Sequence, residues 1–147
     1  MSRIYLNTQL NTLKRKDIFR ITRLAFTWCK RNMGVNNRKH YLPIFWLTRY
    51  NEVDNHKVCG EYDDETNEIF IYYKNISDVR ELIETVRHEW QHQLQPMRTK
   101  YFKYKGPYVT NPFEREAHLA ETAYTRPLWD SIKPRVNRDR KRPGGVK

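Results

Sequence analysis

Between Ser77 and Gln95 the apolar residues Val79, Leu82, Ile83, Val86, Trp90 and Leu94 fall at i, i+3, i+4, i+7, i+11 and i+15, the spacing of a single stripe along an α-helix. Ser77 is placed to cap this helix, Asp78 lies in its first turn, and Pro96 stops it just past Gln95. A second stripe, through Ile18, Ile21, Ala25, Trp28 and Cys29, predicts a helix over 17–33 with Gly34 as its C-terminal punctuation. Its other face carries Arg20, Arg23, Lys30 and Arg31 and reads as a solvated or anion-facing surface. Three short β-branched or aromatic runs, over 43–49, 57–62 and 68–74, are bounded by Asn, Asp and Gly and predict strands, with 63–67 as a polar hairpin loop. Asn111 as cap, Pro112 at the first helical position and the stripe Phe113, Ala117, Ala120 and Tyr124 predict one more helix.

This order of elements predicts an α+β domain. A small sheet of three or more strands, mainly antiparallel, packs on the central helix, with an N-terminal helix before it and a second functional helix after it. The length of 147 residues suits one domain with a modest core. From Arg126 onward the composition changes: eight Lys or Arg stand against two Asp, with Pro127, Pro134 and Pro143 among them. That shift predicts a domain over 1–125 and a basic C-terminal tail over 126–147, so that a chain cut after Trp129 still folds. The tail contributes +6 of a formal net charge of +11, a balance that suits nucleic acid or an acidic protein as partner. No apolar run is long enough to cross a membrane and no signal peptide is evident at 1–10. Cys29 and Cys59 are too few and too far apart for a disulfide framework, which points to free thiols and a cytoplasmic location.

The chemistry is concentrated in His88-Glu89-Trp90-Gln91-His92. Residues i and i+4 of a helix project in nearly one direction, so His88 and His92 can reach a single Zn²⁺, and they lie almost opposite the middle of the helix's apolar stripe. Glu89 is poorly placed to join them as a ligand but well placed to act as base toward a water that the metal acidifies. A catalytic zinc site needs a third protein ligand. Glu114, three residues after the Asn111 cap, completes a capping-box arrangement and so has a structural role. Glu116 borders the buried stripe of the second helix and His118 points away, which makes Glu116 the expected third ligand, with Glu114 and His118 as the alternatives. The segment 96–110 interleaves Tyr101, Phe102, Tyr104 and Tyr108 with Lys100, Lys103 and Lys105. It suits a flap over a cleft or a single-stranded nucleic acid contact. One of its tyrosines, or Tyr124, is a candidate donor to an oxyanion.

His88-Glu89-x-x-His92 followed by Glu114-x-Glu116-Ala117-x-x-Ala120 resembles the gluzincin branch of the zincin metallopeptidases, especially the small single-domain members, and the second segment resembles the phage-repressor-cleaving metallopeptidases. The resemblance covers about residues 57 to 125. It implies a zinc peptidase acting on a protein or peptide, with His88, His92 and Glu116 on the metal, Glu89 as base, and an edge strand, 57–62, pairing with extended substrate where Gly60 leaves the backbone approachable. There is no third His six residues after His92, as metzincins have, and no Asn-Glu-x-x-x-Asp pattern. A SprT-like protease, associated with DNA–protein crosslinks, uses a third His, for which His118 is the one downstream. The competing class is a basic nucleic-acid-associated or virion structural protein that keeps a zincin-like fold without turnover.

Overall fold

The computed structural model describes residues 3–36, 42–49, 58–95 and 111–141. Its elements are α1 (Arg15–Met33), β1 (Ile44–Thr48), β2 (Gly60–Asp63), β3 (Glu68–Tyr72), α2 (Val79–Leu94), α3 (Pro112–Ala123) and α4 (Thr125–Lys141), in an α+β arrangement. α2 is the hub, with α1, α3, α4, β2 and β3 all packed against it. Its apolar stripe, Val79, Leu82, Ile83, Val86 and Trp90, enters the core, while Arg87, His88, Glu89, His92 and Gln93 are buried on its remaining sides.

The start of α2 explains how it is held. Asp78, one residue later than expected, is the cap: its Oδ1 accepts from the Glu81 N–H at 2.9 Å, and Glu81 Oε1 accepts from the Ser77 N–H at 2.8 Å. This is a reciprocal box of the kind that satisfies orphan helix donors. The N–H groups of Val79 and Arg80 donate to the carbonyls of Thr8 and Leu6, at 3.1 and 2.8 Å, so the N-terminal segment closes the remaining turn. At the other end of the first layer, Gly34 adopts φ +82° and ends α1 as expected, its carbonyl accepting from the Trp90 indole at 3.1 Å.

The sheet order is β1-β3-β2. β2 and β3 form an antiparallel hairpin, Gly60 opposite Ile71 and Asp63 opposite Glu68, closed by Asn67 at φ +59°. β1 pairs with β3 in parallel, Ile44 opposite Glu68 through Thr48 opposite Tyr72, so the sheet is mixed rather than mainly antiparallel. The hairpin turns the chain back between β1 and β3, and β3 therefore re-enters alongside β1 in the same sense. Ile69 and Ile71 face the core and are fully buried.

The expectation of a tail from residue 126 is overturned for residues 126–141. α4 sends Leu128, Trp129, Ile132 and Val136 into the core, at 0, 4, 5 and 0 % exposure, and packs on α1 and α2. Two of the prolines that suggested a tail lie within α4. Pro127 lies in the first turn, where no N–H partner exists, whereas Pro134 is inside the helix on its exposed face and removes the backbone hydrogen bond to Asp130, a cost that α4 carries against the burial of its apolar side chains. Asn137 joins the two ends of the chain: its Oδ1 accepts from the Ile4 N–H at 2.8 Å and its Nδ2 donates to the Ile4 carbonyl at 3.2 Å, in buried surroundings. Residues 142–147 lie outside the described residues. No helix among the described residues is long and apolar enough to cross a membrane.

Gly60 marks the tightest approach of β2 to α2. A Cβ there would stand 2.8 Å from Thr85 Cγ2, 2.9 Å from the Phe70 carbonyl oxygen and 3.3 Å from Glu89 Cγ. The glycine is thus required by its inward contact with α2 and β3.

Three outcomes follow from this packing. Asn137→Ala leaves the buried N–H and C=O of Ile4 without their partner and is expected to cost about 1–3 kcal/mol, and a chain cut after Trp129, which also loses Ile132 and Val136, is expected not to melt cooperatively at the parent temperature; a truncated protein with an unchanged melt would remove α4 from the core. Gly60→Ala is expected to lower stability by about 1–3 kcal/mol through overpacking, because the backbone oxygen of Phe70 cannot step aside; a neutral substitution in a denaturant titration would contradict the close approach.

Candidate metal centre

α2 and α3 meet along faces that both carry a pair of side chains four residues apart: His88 and His92 on α2, Glu114 and His118 on α3. Such pairs project from one side of a helix. The side of α3 turned inward is Asn111, Glu114, Ala117 and Ala120, all buried, and the two alanines let the helices approach closely. As a result Glu114 Oε1 lies 3.1 Å from His88 Nε2 and 3.1 Å from His92 Nε2. The two imidazoles stand nearly perpendicular with centroids 4.9 Å apart, and the His118 ring is 4.5 Å from that of His88. Ligand atoms of His88, Glu114 and His118 all fall within 4.8 Å of one another, the one such group among the described residues, and His92 adjoins it through its contact with Glu114.

Glu89 is buried beside this cluster. Its burial pushes the carboxyl up to about 6, partly offset by His88 and His92 and reinforced by Glu114 and Glu61. A cleft of about 260 Å³ opens above it, lined by Val58, Cys59 and Gly60 at the start of β2, by Thr85, His88 and Glu89 of α2, and by His118.

The hydrogen bonds around His92 determine where its proton sits. Gln95 Nε2 donates to the Phe113 carbonyl and to Glu116 Oε1, both at 2.9 Å, and both of these groups only accept. The amide is therefore oriented with Oε1 toward His92 Nδ1, 2.7 Å away, and Nδ1 must carry the proton. In that tautomer Nε2 presents a lone pair to Glu114 Oε1, itself an acceptor, at 3.1 Å. Two acceptors at that separation need a cation between them, either a proton or a metal ion. His88, Glu114 and His118 form a donor set that could hold a metal ion, with His92 Nε2 placed 3.1 Å from the same Glu114 oxygen, and imidazole and carboxylate are donor kinds that zinc accepts.

Each residue expected from the sequence can now be placed. His88, Glu89 and His92 come together as the helical spacing requires. Glu116 does not join them: it is exposed, and its Oε1 accepts from Gln91 Nε2 at 2.6 Å as well as from Gln95. Glu114 takes the place at the imidazoles. Asn111 caps α3 as expected, its Oδ1 accepting from the Phe113 N–H at 2.9 Å, while the Glu114 carboxylate, expected to complete a capping box, is turned to the imidazoles. The error came from giving α3 an apolar stripe through Phe113 and Tyr124, which are half-buried and exposed. A readable signal was the spacing Asn111, Glu114, Ala117, Ala120, a small and polar stripe at i, i+3, i+6 and i+9. Gln95 was not anticipated at all. Tyr124 stacks near Trp28, at 6.4 Å between centroids, and under the Arg87 guanidinium, at 4.8 Å. Tyr101, Tyr104, Tyr108 and the lysines between them lie outside the described residues.

Comparison with protein-family models, with curated proteins and with solved structures finds no match.

Proposed function

We propose that this protein is a zinc-dependent metallopeptidase that hydrolyses peptide bonds in a protein substrate, with His88, His92 and Glu114 as metal ligands and Glu89 as general base. The observation that carries this reading is the approach of both Nε2 atoms to one oxygen of Glu114 at 3.1 Å, where His88 also lines a cleft together with the buried Glu89 and with His118. Bound zinc supplies Lewis acidity, polarising a scissile carbonyl and making water a nucleophile near neutral pH. The remaining work falls to the chain itself. Glu89, with its carboxyl raised to about 6, accepts a proton from the attacking water and delivers it to the leaving amine nitrogen, a task for which a pKa near the working pH is best. β2 is an edge strand of the described sheet, and its first residue, Gly60, forms the cleft wall with the preceding Val58 and Cys59. An extended peptide laid along that edge gains main-chain hydrogen bonds there.

Metal content and turnover separate the roles. His88→Ala, His92→Ala and Glu114→Ala are each expected to strip zinc from the purified protein, because a three-ligand site cannot readily lose one ligand. Should His118→Ala release the metal while Glu114→Ala keeps it, the histidine-ligand alternative replaces this one. A parent protein that takes up no zinc at all would end the metal reading.

Glu89→Gln is expected to retain zinc and fold while cleavage of an unfolded protein substrate falls by about 10²–10⁴-fold, since the amide cannot accept the proton. Activity within a few-fold of the parent would remove Glu89 from the reaction.

A further inference from the structure

We infer that Glu116, acting through Gln95, is a positioning residue that holds His92 in the tautomer whose Nε2 lone pair faces Glu114; its use in metal binding rests on the function proposed above. An imidazole beside a carboxylate would, left alone, place its proton on Nε2 and donate it to the carboxylate. That tautomer blocks the nitrogen a metal needs. Gln95 opposes it by offering Oε1 to Nδ1 at 2.7 Å, in a position only 3 % exposed. The opposition works only if the amide cannot turn over, and turning it over would bring its oxygen against the Phe113 carbonyl and Glu116 Oε1, each 2.9 Å from the present nitrogen.

Glu116 is itself held from a second side. Its Oε1 accepts from Gln91 Nε2 at 2.6 Å, and Gln91 Oε1 accepts from Arg87 Nη2 at 3.0 Å. An arginine only donates and a carboxylate only accepts, so the direction of both amides is set by the ends of the chain of bonds. Arg87 is buried and lies over the Tyr124 ring, which keeps its end of this chain in place. The glutamate that hydropathy suggested as a ligand thus anchors the group that orients a ligand, the usual way outer partners tune a metal-binding histidine.

The test combines zinc affinity, read by competition with a chromophoric chelator, with imidazole nitrogen NMR of the metal-free protein at a pH about 2 units above the ordinary histidine value. Gln95→Ala and Glu116→Ala are each expected to weaken zinc binding about 10–100-fold, and the double variant to be no weaker than Gln95→Ala alone, because Glu116 works through Gln95. Glu116→Gln, whose amide oxygen can accept the same two hydrogen bonds, should bind zinc within a few-fold of the parent. In the metal-free spectra His92 should carry its proton on Nδ1 in the parent and in Glu116→Gln, and move it toward Nε2 in Gln95→Ala and Glu116→Ala. Losses that add in the double variant, or a tautomer indifferent to Gln95, overturn the inference. If the parent binds no zinc but its tautomer follows Gln95 and Glu116, the positioning role stands and the peptidase reading falls; if zinc binds and the tautomer never moves, the reverse holds.

Discussion

One oxygen of Glu114, held 3.1 Å from two imidazole nitrogens, is the contact on which the arrangement of α2 and α3 depends. The principal apolar core cluster draws on the N-terminal segment, α1, the sheet, α2 and α4, but among the described residues it takes none from α3. What seats α3 is the close packing of Ala117 and Ala120 together with polar contacts: Glu114 to the histidines, Gln91 and Gln95 to Glu116, and Gln95 to the Phe113 carbonyl. Polar groups out of water are costly unless each finds its partner. The docking of this helix and the geometry of the site are therefore one and the same set of interactions.

The apolar half of the molecule supplies the rigidity that such a cluster requires. Trp90 is fully buried, in edge contact with Phe26 of α1 at 5.1 Å, and its indole is tied to the α1 terminus. That contact sets the rotation of α2, and the rotation in turn directs His88, Glu89 and His92 at the opposite face. β2 comes down on Glu89 and Thr85 at a residue that has no side chain. The backbone at Gly60 therefore lies directly against the Glu89 stem, and both residues line the cleft.

The parts of this design that were legible in the sequence are those governed by local periodicity. The stripe of α2, the helix ending at Gly34, the first and third strands and the His-Glu-x-x-His spacing depend on residues within a few turns of one another and appear where expected, while the second strand, expected over 57–62, runs over Gly60–Asp63. Three features escaped because non-local contacts decide them. α4 was hidden by its charge, since counting cations over 126–141 obscures Leu128, Trp129, Ile132 and Val136 at helical spacing. The direction of β1 depends on which side of β3 it takes, a choice that no strand pattern contains. The choice between Glu114 and Glu116 depends on how α3 is rotated against α2, and the stripe that records this rotation is made of alanines and polar residues, which a hydrophobicity argument passes over.

The same hydrogen-bond directions connect chemistry to stability. With Nδ1 of His92 donating to Gln95, the contact of its Nε2 with Glu114 is favourable when a cation, a proton or a metal ion, lies between them. Because the two imidazoles belong to α2 and the carboxylate to α3, any cation bound between them would also strengthen the seating of α3. A helix that the apolar core does not claim for itself is in this way committed to the rest of the fold by whatever its buried carboxylate shares with the two histidines.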